Sequence, residues 1–360
     1  MENRRDHRVD QNYLQGRGAQ VQTANRFLAQ QYVQDDFDGL DEAMELERAT
    51  QFFADEPKKV ISKNDSPDLS FLYSVNPYQG CEHGCVYCYA RNSHEYWGFG
   101  AGLDFENKIV VKHNVAIVLE QEFNKRNYRP STIMLSGNTD CYQPIERKLE
   151  LTRSLLKVML KYRHPVSLIT KNSLILRDID LLQELAASGL VHVAITINSL
   201  DETLRQKMEP RTATAKKRLQ VIRQLREAKV PVSLMCAPII PGLNQHGIPR
   251  LIREAAEHGA ESVSYTVVRL NGALSGIFED WLHKAYPDRA KKVMNQIAEC
   301  HGGRVNDTRW GDRMRGDGKI SESIAQLVAI SRKRYMGDHT REPLRTDLFT
   351  PLGGKQLTIF

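Results

Sequence analysis

Short apolar runs rich in β-branched residues alternate with amphipathic stretches from Leu69 to about residue 270. Runs of this kind predict buried strands, and apolar residues spaced three or four apart predict helices. The runs predicted as strands cover 69–75, 131–137, 165–170, 191–197, 231–240 and 261–270. The helical patterns between them cover 146–162, 176–188, 216–228 and 248–259. Strands separated by helices pair in parallel through right-handed crossovers, so the pattern predicts an α/β fold.

Six such strands are too few to close an eight-stranded barrel, so we predict a partial (β/α)6 TIM-like barrel. This barrel is assigned to residues 61–275. Residues 1–60 are polar and Gln-rich, which predicts a partly disordered N-terminal tail with one candidate helix near 41–53. Residues 276–360 predict a helical, basic C-terminal extension, because residues 304–345 contain ten Lys or Arg against six Asp or Glu.

Polar side chains follow the predicted strands, where barrel enzymes place their chemistry. The sequence NTDCYQP (138–144) follows the second run, and Lys171 follows the third. Asn198 and Ser199 follow the fourth run, and PGLNQ (241–245) follows the fifth. The pattern therefore predicts a single site at the carboxyl edge of the sheet.

The first run is followed by three of the six cysteines, in the segment GCEHGCVYCYA (80–90). Cys81, Cys85 and Cys88 have the spacing C-x3-C-x2-C. A zinc site usually has four protein ligands, with His83 as the candidate fourth, but no second C-x2-C pair accompanies the loop. Soft thiolates suit an iron–sulfur cluster better. Three thiolates leave one iron with an open position, which can bind a substrate or cofactor.

The net charge of +6 is unevenly distributed. Residues 1–60 hold 8 Lys or Arg against 12 Asp or Glu, about −4, which leaves +10 for the rest of the chain. A basic body is compatible with a nucleic-acid substrate and equally with an ordinary solvated surface. Arg17 and Arg26 in the tail are candidates for nucleic-acid contact, although a flexible arm is the commoner explanation.

The chain lacks the sequence features of a membrane or secreted protein. No apolar run is long enough to span a bilayer, and residues 1–15 lack the apolar region of a secretory signal. We therefore expect a cytoplasmic protein without membrane partners. Thiols stay reduced in that compartment, so the clustered cysteines indicate a metal or catalytic site rather than disulfides.

The cysteine loop, with an aromatic residue just before its third cysteine, resembles the radical S-adenosylmethionine (SAM) superfamily. Within it the chain resembles the spore photoproduct lyase-like branch, which is related to DNA repair photolyases. The resemblance covers about residues 69–270 and extends to the motifs GNTDCYQPIE, TKN, INS…EPRT and APIIPGLN. It implies that Cys81, Cys85 and Cys88 bind a [4Fe–4S] cluster whose open iron binds SAM. It also implies an electron donor such as flavodoxin or ferredoxin.

The same resemblance implies roles for residues around the methionine part of SAM. Gly137, Asn138 and Asp140 occupy the place where the family contacts the methionyl amine, an ammonium that needs oxygen acceptors. Lys171 matches a lysine of the spore lyase branch that reaches SAM, and its ammonium suits the methionine carboxylate. Arg211, in EPRT, is a candidate for a bidentate contact with the same carboxylate.

Other positions match the nucleoside part of SAM. Tyr87 matches the aromatic residue that packs near the adenine. Asn198 and Ser199 end the fourth strand, where the family binds the ribose hydroxyls. The motif APIIPGLN (237–244) resembles the fifth-strand segment that lies against the adenine.

The branch assignment has one departure. The spore lyase has a hydrogen-donating cysteine just before its Ser/Thr-Asp pair, where this chain has Gly137-Asn138, and the nearby thiol here is Cys141. Tyr87 and Tyr89 match tyrosines of that enzyme's radical relay. Tyr89 and Cys141 are therefore the candidate catalytic residues, and thymine-dimer repair by the same mechanism is not expected.

The sequence thus predicts a radical SAM enzyme that cleaves SAM reductively and abstracts hydrogen from a substrate, with nucleic acid as the first candidate. One alternative is a radical SAM maturase that modifies a peptide or protein side chain. Another is a non-enzymatic zinc or Fe–S protein that binds nucleic acid, in which the loop is structural.

Overall fold

A computed structural model describes residues 13–28, 49–69, 71–337 and 342–352. Within these residues the chain forms two sheets, flanked by helices. The strands are β1 (Gln51–Asp55), β2 (Ser62–Lys63), β3 (Tyr73–Val75), β4 (Tyr78–Gln79), β5 (Lys108–Lys112), β6 (Ile133–Leu135), β7 (Val166–Thr170), β8 (Val191–Thr196), β9 (Val232–Ile239) and β10 (Val263–Val267).

The larger sheet has the strand order β10-β9-β8-β7-β6-β3-β2. Each neighbouring pair from β3 to β10 is parallel, and only the short edge strand β2 runs antiparallel to β3. The six parallel strands lie within the six predicted runs and follow one another in chain order, which confirms the partial barrel. Leu135, Leu168, Val193 and Leu234 are fully buried in its core. Helices cover the sheet, so its strands are apolar along most of their length.

The helices between the strands confirm the amphipathic patterns. They are α1 (Asp104–Asn107), α2 (Val115–Phe123), α3 (Glu146–Leu149), α4 (Leu151–Lys161), α5 (Ile179–Ala187), α6 (Glu202–Met208), α7 (Ala215–Glu227) and α8 (Ile248–Glu257). The predicted helix 146–162 is interrupted at Glu150, whose φ of 51° lies in the left-handed region. The buried Glu146 carboxylate accepts a hydrogen bond from Thr152 N (3.1 Å), at the start of α4.

The C-terminal extension is helical, as predicted. Its helices are α9 (Leu274–Ala285), α10 (Ala290–Glu299) and α11 (Gly318–Tyr335). None of the helices in the described ranges is long and apolar enough to cross a membrane.

A small second sheet, which the sequence patterns do not predict, has the order β1-β5-β4. β1 pairs in parallel with β5, so the predicted helix near 41–53 is wrong for residues 51–53. Its residues 41–48 lie outside the described ranges. The remaining strand, β4, leads directly into the cysteine loop.

Residues 13–28 pack on the body of the protein. The Arg17 guanidinium contacts the Asn107 side chain, and Arg26 Nε lies 3.1 Å from Glu95 Oε2. Both arginines contact the body of the protein, which corrects the interpretation of this segment as a free arm. Their contact with nucleic acid stays a prediction.

The two edges of the larger sheet are joined by the segment between α10 and α11. Met314 O accepts a hydrogen bond from Val267 N at the end of β10 (2.9 Å). Arg313 pairs with Asp68, in the turn between β2 and β3, and Gly311 N donates to the same carboxylate (2.7 Å). A backbone hydrogen bond at β10 and the contacts of Asp68 therefore link the two edges of the sheet, which strand pairing leaves apart.

Candidate active site

The cysteine loop follows β4 and lies over the start of α1. Cys81, Cys85 and Cys88 are free thiols, the first two buried and the third half-buried. Cys81 N donates a hydrogen bond to Phe105 O (2.8 Å), which fixes the start of the loop. The third thiol is thus the one with access to solvent.

The three thiols lie within electrostatic range of one another. Burial raises the pKa of the Cys81 thiol, and the charges of Asp140, Cys85 and Cys88 raise it further. Burial also raises the pKa of Cys85, to about 12, although the Lys171 charge opposes this shift. A bound cation would reverse this preference, because metal ligation requires the thiolate form.

This donor set fits an iron–sulfur cluster. Three soft thiolates come from one loop, and in a cubane each thiolate binds a different iron. Across the described parts of the chain, no three His, Cys, Asp or Glu side chains converge closely enough to bind one metal ion. His83 Nδ1 lies 3.3 Å from Asp140 Oδ2, and its Nε2 lies 3.3 Å from Asn172 Nδ2. Both ring nitrogens have protein partners, which does not favour His83 as a fourth zinc ligand.

Asp140 connects the cysteine loop to the end of β7. Its carboxylate accepts hydrogen bonds from Thr170 Oγ1 (2.7 Å), Lys171 N (2.8 Å) and Tyr142 N (2.9 Å), besides the contact with His83. Burial alone would raise the pKa of this carboxyl, but His83 and the Lys171 N–H lower it to about 2. The carboxylate is thus already engaged by protein donors, whereas the sequence assigns it to the methionyl amine.

Lys171 lies where the sequence predicts, at the end of β7 and beside the cysteine loop. The half-buried side chain places Nζ 6.0 Å from the centre of the Tyr87 ring. Burial alone would lower the pKa of the ammonium, but the charges of Cys85 and Glu209 raise it above its ordinary value. The Lys171 ammonium therefore supplies a positive charge next to the thiols.

Tyr87 belongs to a buried network on the β8 side of the loop. Its hydroxyl donates to Glu209 Oε1 and accepts a hydrogen bond from Asn198 Nδ2 (3.3 Å). Arg218 Nη2 lies 2.5 Å from Glu209 Oε2. Burial alone would raise the pKa of the Glu209 carboxyl, but the Arg218 and Lys171 charges lower it below its ordinary value. The network fixes Tyr87 at the position predicted to lie near the adenine.

Asn198 and Ser199 differ in how they reach the site. Asn198 is buried, its side chain contacts Tyr87, and its carbonyl accepts a hydrogen bond from Asn244 Nδ2 (2.9 Å). Ser199 Oγ instead accepts from Asp201 N (3.0 Å), in the turn before α6. Asn198 is thus part of the Tyr87 network, and Ser199 stabilises the turn that follows it.

Gly137 and Asn138 approach the loop from the end of β6. Tyr89 OH donates to Gly137 O (2.6 Å), and the Tyr89 side chain is 55% exposed. Asn138 Nδ2 donates to Gln79 Oε1 (2.9 Å) and to Ser93 Oγ (3.1 Å). These contacts bring the predicted amine-binding segment against the last turn of the cysteine loop, with Tyr89 on the solvent side.

Arg211 and Cys141 are not placed as the sequence predicts. Arg211 Nε donates to Gly16 O (3.1 Å), and its Nη2 lies 3.6 Å from Glu106 Oε2, so it contacts the N-terminal segment rather than the group around Lys171. Cys141 is fully buried in the main core, and burial raises the pKa of its thiol well above its ordinary value. This position does not support a role for Cys141 as a hydrogen donor.

The sequence patterns did not single out Glu209 and Arg218. The motif EPRT was assigned to Arg211, two residues after Glu209. Arg218 gives the usable signal, because it occurs on the apolar face of the helical pattern 216–228. A buried arginine there requires a buried carboxylate partner.

The chain matches one family model and several known proteins. Residues 75–255 match the family model of the radical SAM superfamily. An uncharacterized protein of Mycobacterium tuberculosis is 34% identical over 281 residues, which cover 78% of this chain and 79% of that protein. An uncharacterized protein of Methanocaldococcus jannaschii is 30% identical over 241 residues, covering 67% of this chain and 86% of that protein.

Among solved structures, spore photoproduct lyase complexed with dinucleoside spore photoproduct has a TM-score of 0.58. That match has 16% sequence identity and covers 79% of this chain and 80% of the lyase chain. A mutant of the same lyase, with bound AdoMet and dinucleoside spore photoproduct, has a TM-score of 0.56 at 17% identity and covers 79% of each chain. These structures share the fold of this chain.

Proposed function

Because the chain belongs to the radical SAM superfamily, an enzyme family that uses a [4Fe–4S] cluster and SAM, we propose that Cys81, Cys85 and Cys88 are the cluster ligands. The observation that carries this proposal is the position of the three thiols on one loop at the carboxyl edge of the parallel strands. When bound, the cluster and SAM supply reductive cleavage of the sulfonium bond and a 5′-deoxyadenosyl radical that abstracts hydrogen from the substrate.

The side chains around the loop orient SAM and hold its charges. The Lys171 ammonium lies beside Cys85 and Glu209 and is suited to the methionine carboxylate. Tyr87, fixed by Glu209 and Asn198, presents a buried aromatic ring for the adenine side. Gly137 and Asn138 supply oxygen acceptors near the half-buried Cys88, and the exposed Tyr89 faces the side from which a substrate enters.

A product assay tests this assignment. Reconstituted anaerobically and reduced in the presence of SAM, the wild-type enzyme is expected to release methionine and 5′-deoxyadenosine, whereas Cys85→Ala is not. Cys236→Ala is the matched control, because Cys236 is a buried cysteine outside the loop. Full activity of Cys85→Ala, or loss of activity in Cys236→Ala alone, would contradict the assignment.

We further propose a nucleic acid as the substrate and a cytoplasmic flavodoxin or ferredoxin as the electron donor. The net charge of +6 supports the first proposal, and so does the fold shared with a lyase that was solved with a dinucleoside. Lys216, Arg223 and Arg250 also line one surface groove between α7 and α8. Clustered cations of this kind attract phosphates.

DNA binding at several salt concentrations tests the substrate class. Each lost phosphate contact lowers the slope of log affinity against log salt by about 1. Replacing Lys216, Arg223 and Arg250 together by Gln should therefore weaken binding and flatten this slope. Lys161→Gln is the control, because Lys161 does not line this groove and pairs with Glu120 (2.9 Å). Indifference of the wild type to DNA would contradict a nucleic-acid substrate and leave a peptide or protein side chain as the target.

A further inference from the structure

The N-terminal segment (residues 13–23) packs against the cysteine loop. Residues 13–23 lie beside α9 and the loop that precedes α1, and Ala19 is fully buried against the cluster of apolar residues that includes Cys85 and Val86. Tyr13 and Leu14 pack against the same cluster. A segment of low hydrophobicity thus packs against the loop that carries the three thiols.

Gly18 makes the closest approach. A Cβ atom at this position would lie 1.6 Å from Gly84 O and 3.0 Å from Val86 N. Gly84 is the turn between Cys81 and Cys85, with a φ of 66°, and a Cβ atom there would lie 2.7 Å from Glu106 Oε2. Two glycines and one carboxylate are therefore in mutual contact, with no room for a side chain at either glycine.

Glu106 connects the segment to the loop. This fully buried carboxylate accepts hydrogen bonds from Ala19 N (2.7 Å), Gly18 N (3.2 Å) and Arg91 Nη2 (2.6 Å). Arg91 is also fully buried, and its Nε donates to Cys85 O (3.0 Å). A continuous chain of hydrogen bonds thus runs from the backbone of residues 18–19 to the backbone of the second cysteine.

We propose that residues 16–19 and Glu106 act as a buttress that fixes the cysteine loop before any metal binds, so that Gly18 and Glu106 are positioning residues for the cluster. The part that concerns the cluster rests on the function proposed above. In the wild type the backbone of residues 80–90 is already ordered, so cluster binding does not have to supply the free energy of ordering it. Without the buttress the loop opens locally while the rest of the barrel stays folded.

Hydrogen exchange of the full-length, metal-free protein tests the buttress itself. A Cβ atom at residue 18 must push apart the segment and the Gly84 turn, so Gly18→Ala is expected to exchange amides 80–90 about tenfold faster than wild type. Gly276→Ala is the matched control, because Gly276 is exposed on α9 with nothing within 4 Å of its added Cβ. Unchanged exchange of residues 80–90 in Gly18→Ala would overturn the proposal.

Cluster retention separates a local effect from general destabilisation. The third variant, Leu225→Ala, opens a cavity in the main core at a fully buried position on α7. At equal loss of melting temperature, Gly18→Ala should lose iron to a chelator about tenfold faster than Leu225→Ala, with a broadened EPR signal. Equal rates in the two variants would overturn the proposal. If the wild type binds no iron, the cluster assignment fails, and hydrogen exchange alone decides on the buttress.

Discussion

Two fully buried glutamates contact the cysteine loop, Glu106 at Gly84 and Glu209 at Tyr87, and are used differently. Glu106 accepts hydrogen bonds from backbone amides of residues 18–19 and from Arg91, so its partners belong to the support of the loop. Glu209 accepts from the Tyr87 hydroxyl and from Arg218, so one of its partners faces the site. Both pairs neutralise a buried arginine, yet only one of them contacts a side chain proposed to meet the cofactor.

The two glutamates therefore have different roles: Glu106 supports the loop, and Glu209 holds side chains that are proposed to meet the cofactor. Glu106 binds backbone amides and thereby fixes the position of the thiols. Glu209 binds the Tyr87 hydroxyl and lies near the Lys171 ammonium, so it fixes the side chains that surround the thiols. Changes at Glu106 should therefore alter loop order, and changes at Glu209 should alter cofactor affinity with the loop still ordered.

Glu106→Gln is expected to have the largest effect on stability. The substitution leaves the Arg91 guanidinium buried without a counter-charge, which costs about 5 kcal/mol of unfolding free energy. Urea unfolding of the full chain measures this loss. Glu120→Gln is the control, because Glu120 pairs with Lys161 at the surface, and its loss should stay below about 0.5 kcal/mol. A similar loss of unfolding free energy in Glu106→Gln and Glu120→Gln would contradict this role of Glu106.

Glu209→Gln should cost less, about 3 kcal/mol. Arg218 loses its charged partner, but the Tyr87 hydroxyl can accept a hydrogen bond from the new amide, whereas the backbone amides bound to Glu106 can only donate. Hydrogen exchange of residues 80–90 should remain as slow as in wild type. The affinity for SAM, measured by titration of the reconstituted enzyme, should fall because Tyr87 and Lys171 lose a common partner. Faster exchange of the loop with unchanged SAM affinity would show that Glu209 acts as a support like Glu106.

His94 makes the Glu106 side of the loop sensitive to pH. Burial between Phe99 and Phe105 lowers the pKa of His94 to about 4, against about 6.5 in the unfolded chain. The unfolded state then binds more protons, so stability is complete above pH 6.5 and falls by at most about 3 kcal/mol as the pH drops to 4.

Burial lowers the pKa of His164 to about 4 as well, so the wild type should show the summed slope of two histidines. His94→Leu should remove roughly half of this slope in urea unfolding between pH 6.5 and 4. An unchanged slope would mean that His94 titrates normally in the folded protein.

Tyr87→Phe is expected to have the smallest effect. It removes one hydroxyl from the Glu209 network and keeps the ring, which costs about 1 kcal/mol of unfolding free energy. SAM affinity should fall less than in Glu209→Gln, because Glu209 keeps its charge beside Lys171. A larger loss than in Glu209→Gln would show that the hydroxyl itself contacts the cofactor.

The sequence predicts one part of this site well and the other poorly, for a physical reason. The apolar runs are local signals, so the sequence locates the end of β7, where Lys171 lies, and the edge of the sheet that the cysteine loop contacts through His83 and Tyr87. The contacts of Gly18, Glu106 and Glu209 depend on chain segments far apart in sequence.

The side-chain positions of Arg211 and Cys141 differ from the expected ones for the same reason. Their motifs were aligned with strand ends, but the direction of each side chain is decided by partners elsewhere, Gly16 and Glu106 for Arg211 and the core for Cys141. The sequence predicts a tail for the polar segment 13–28, because the burial of residues 18–20 depends on backbone hydrogen bonds, which leave no apolar pattern.

We propose that three thiolates on a buttressed loop hold a cluster with one iron open to SAM. EPR spectroscopy of the anaerobically reconstituted, reduced protein, with and without SAM, tests it most directly, beside Cys85→Ala and Cys236→Ala. We expect a [4Fe–4S]+ signal that shifts when SAM is added, persists in Cys236→Ala and is absent from Cys85→Ala. A wild type without this signal, carrying one zinc per chain in the metal analysis, would contradict it.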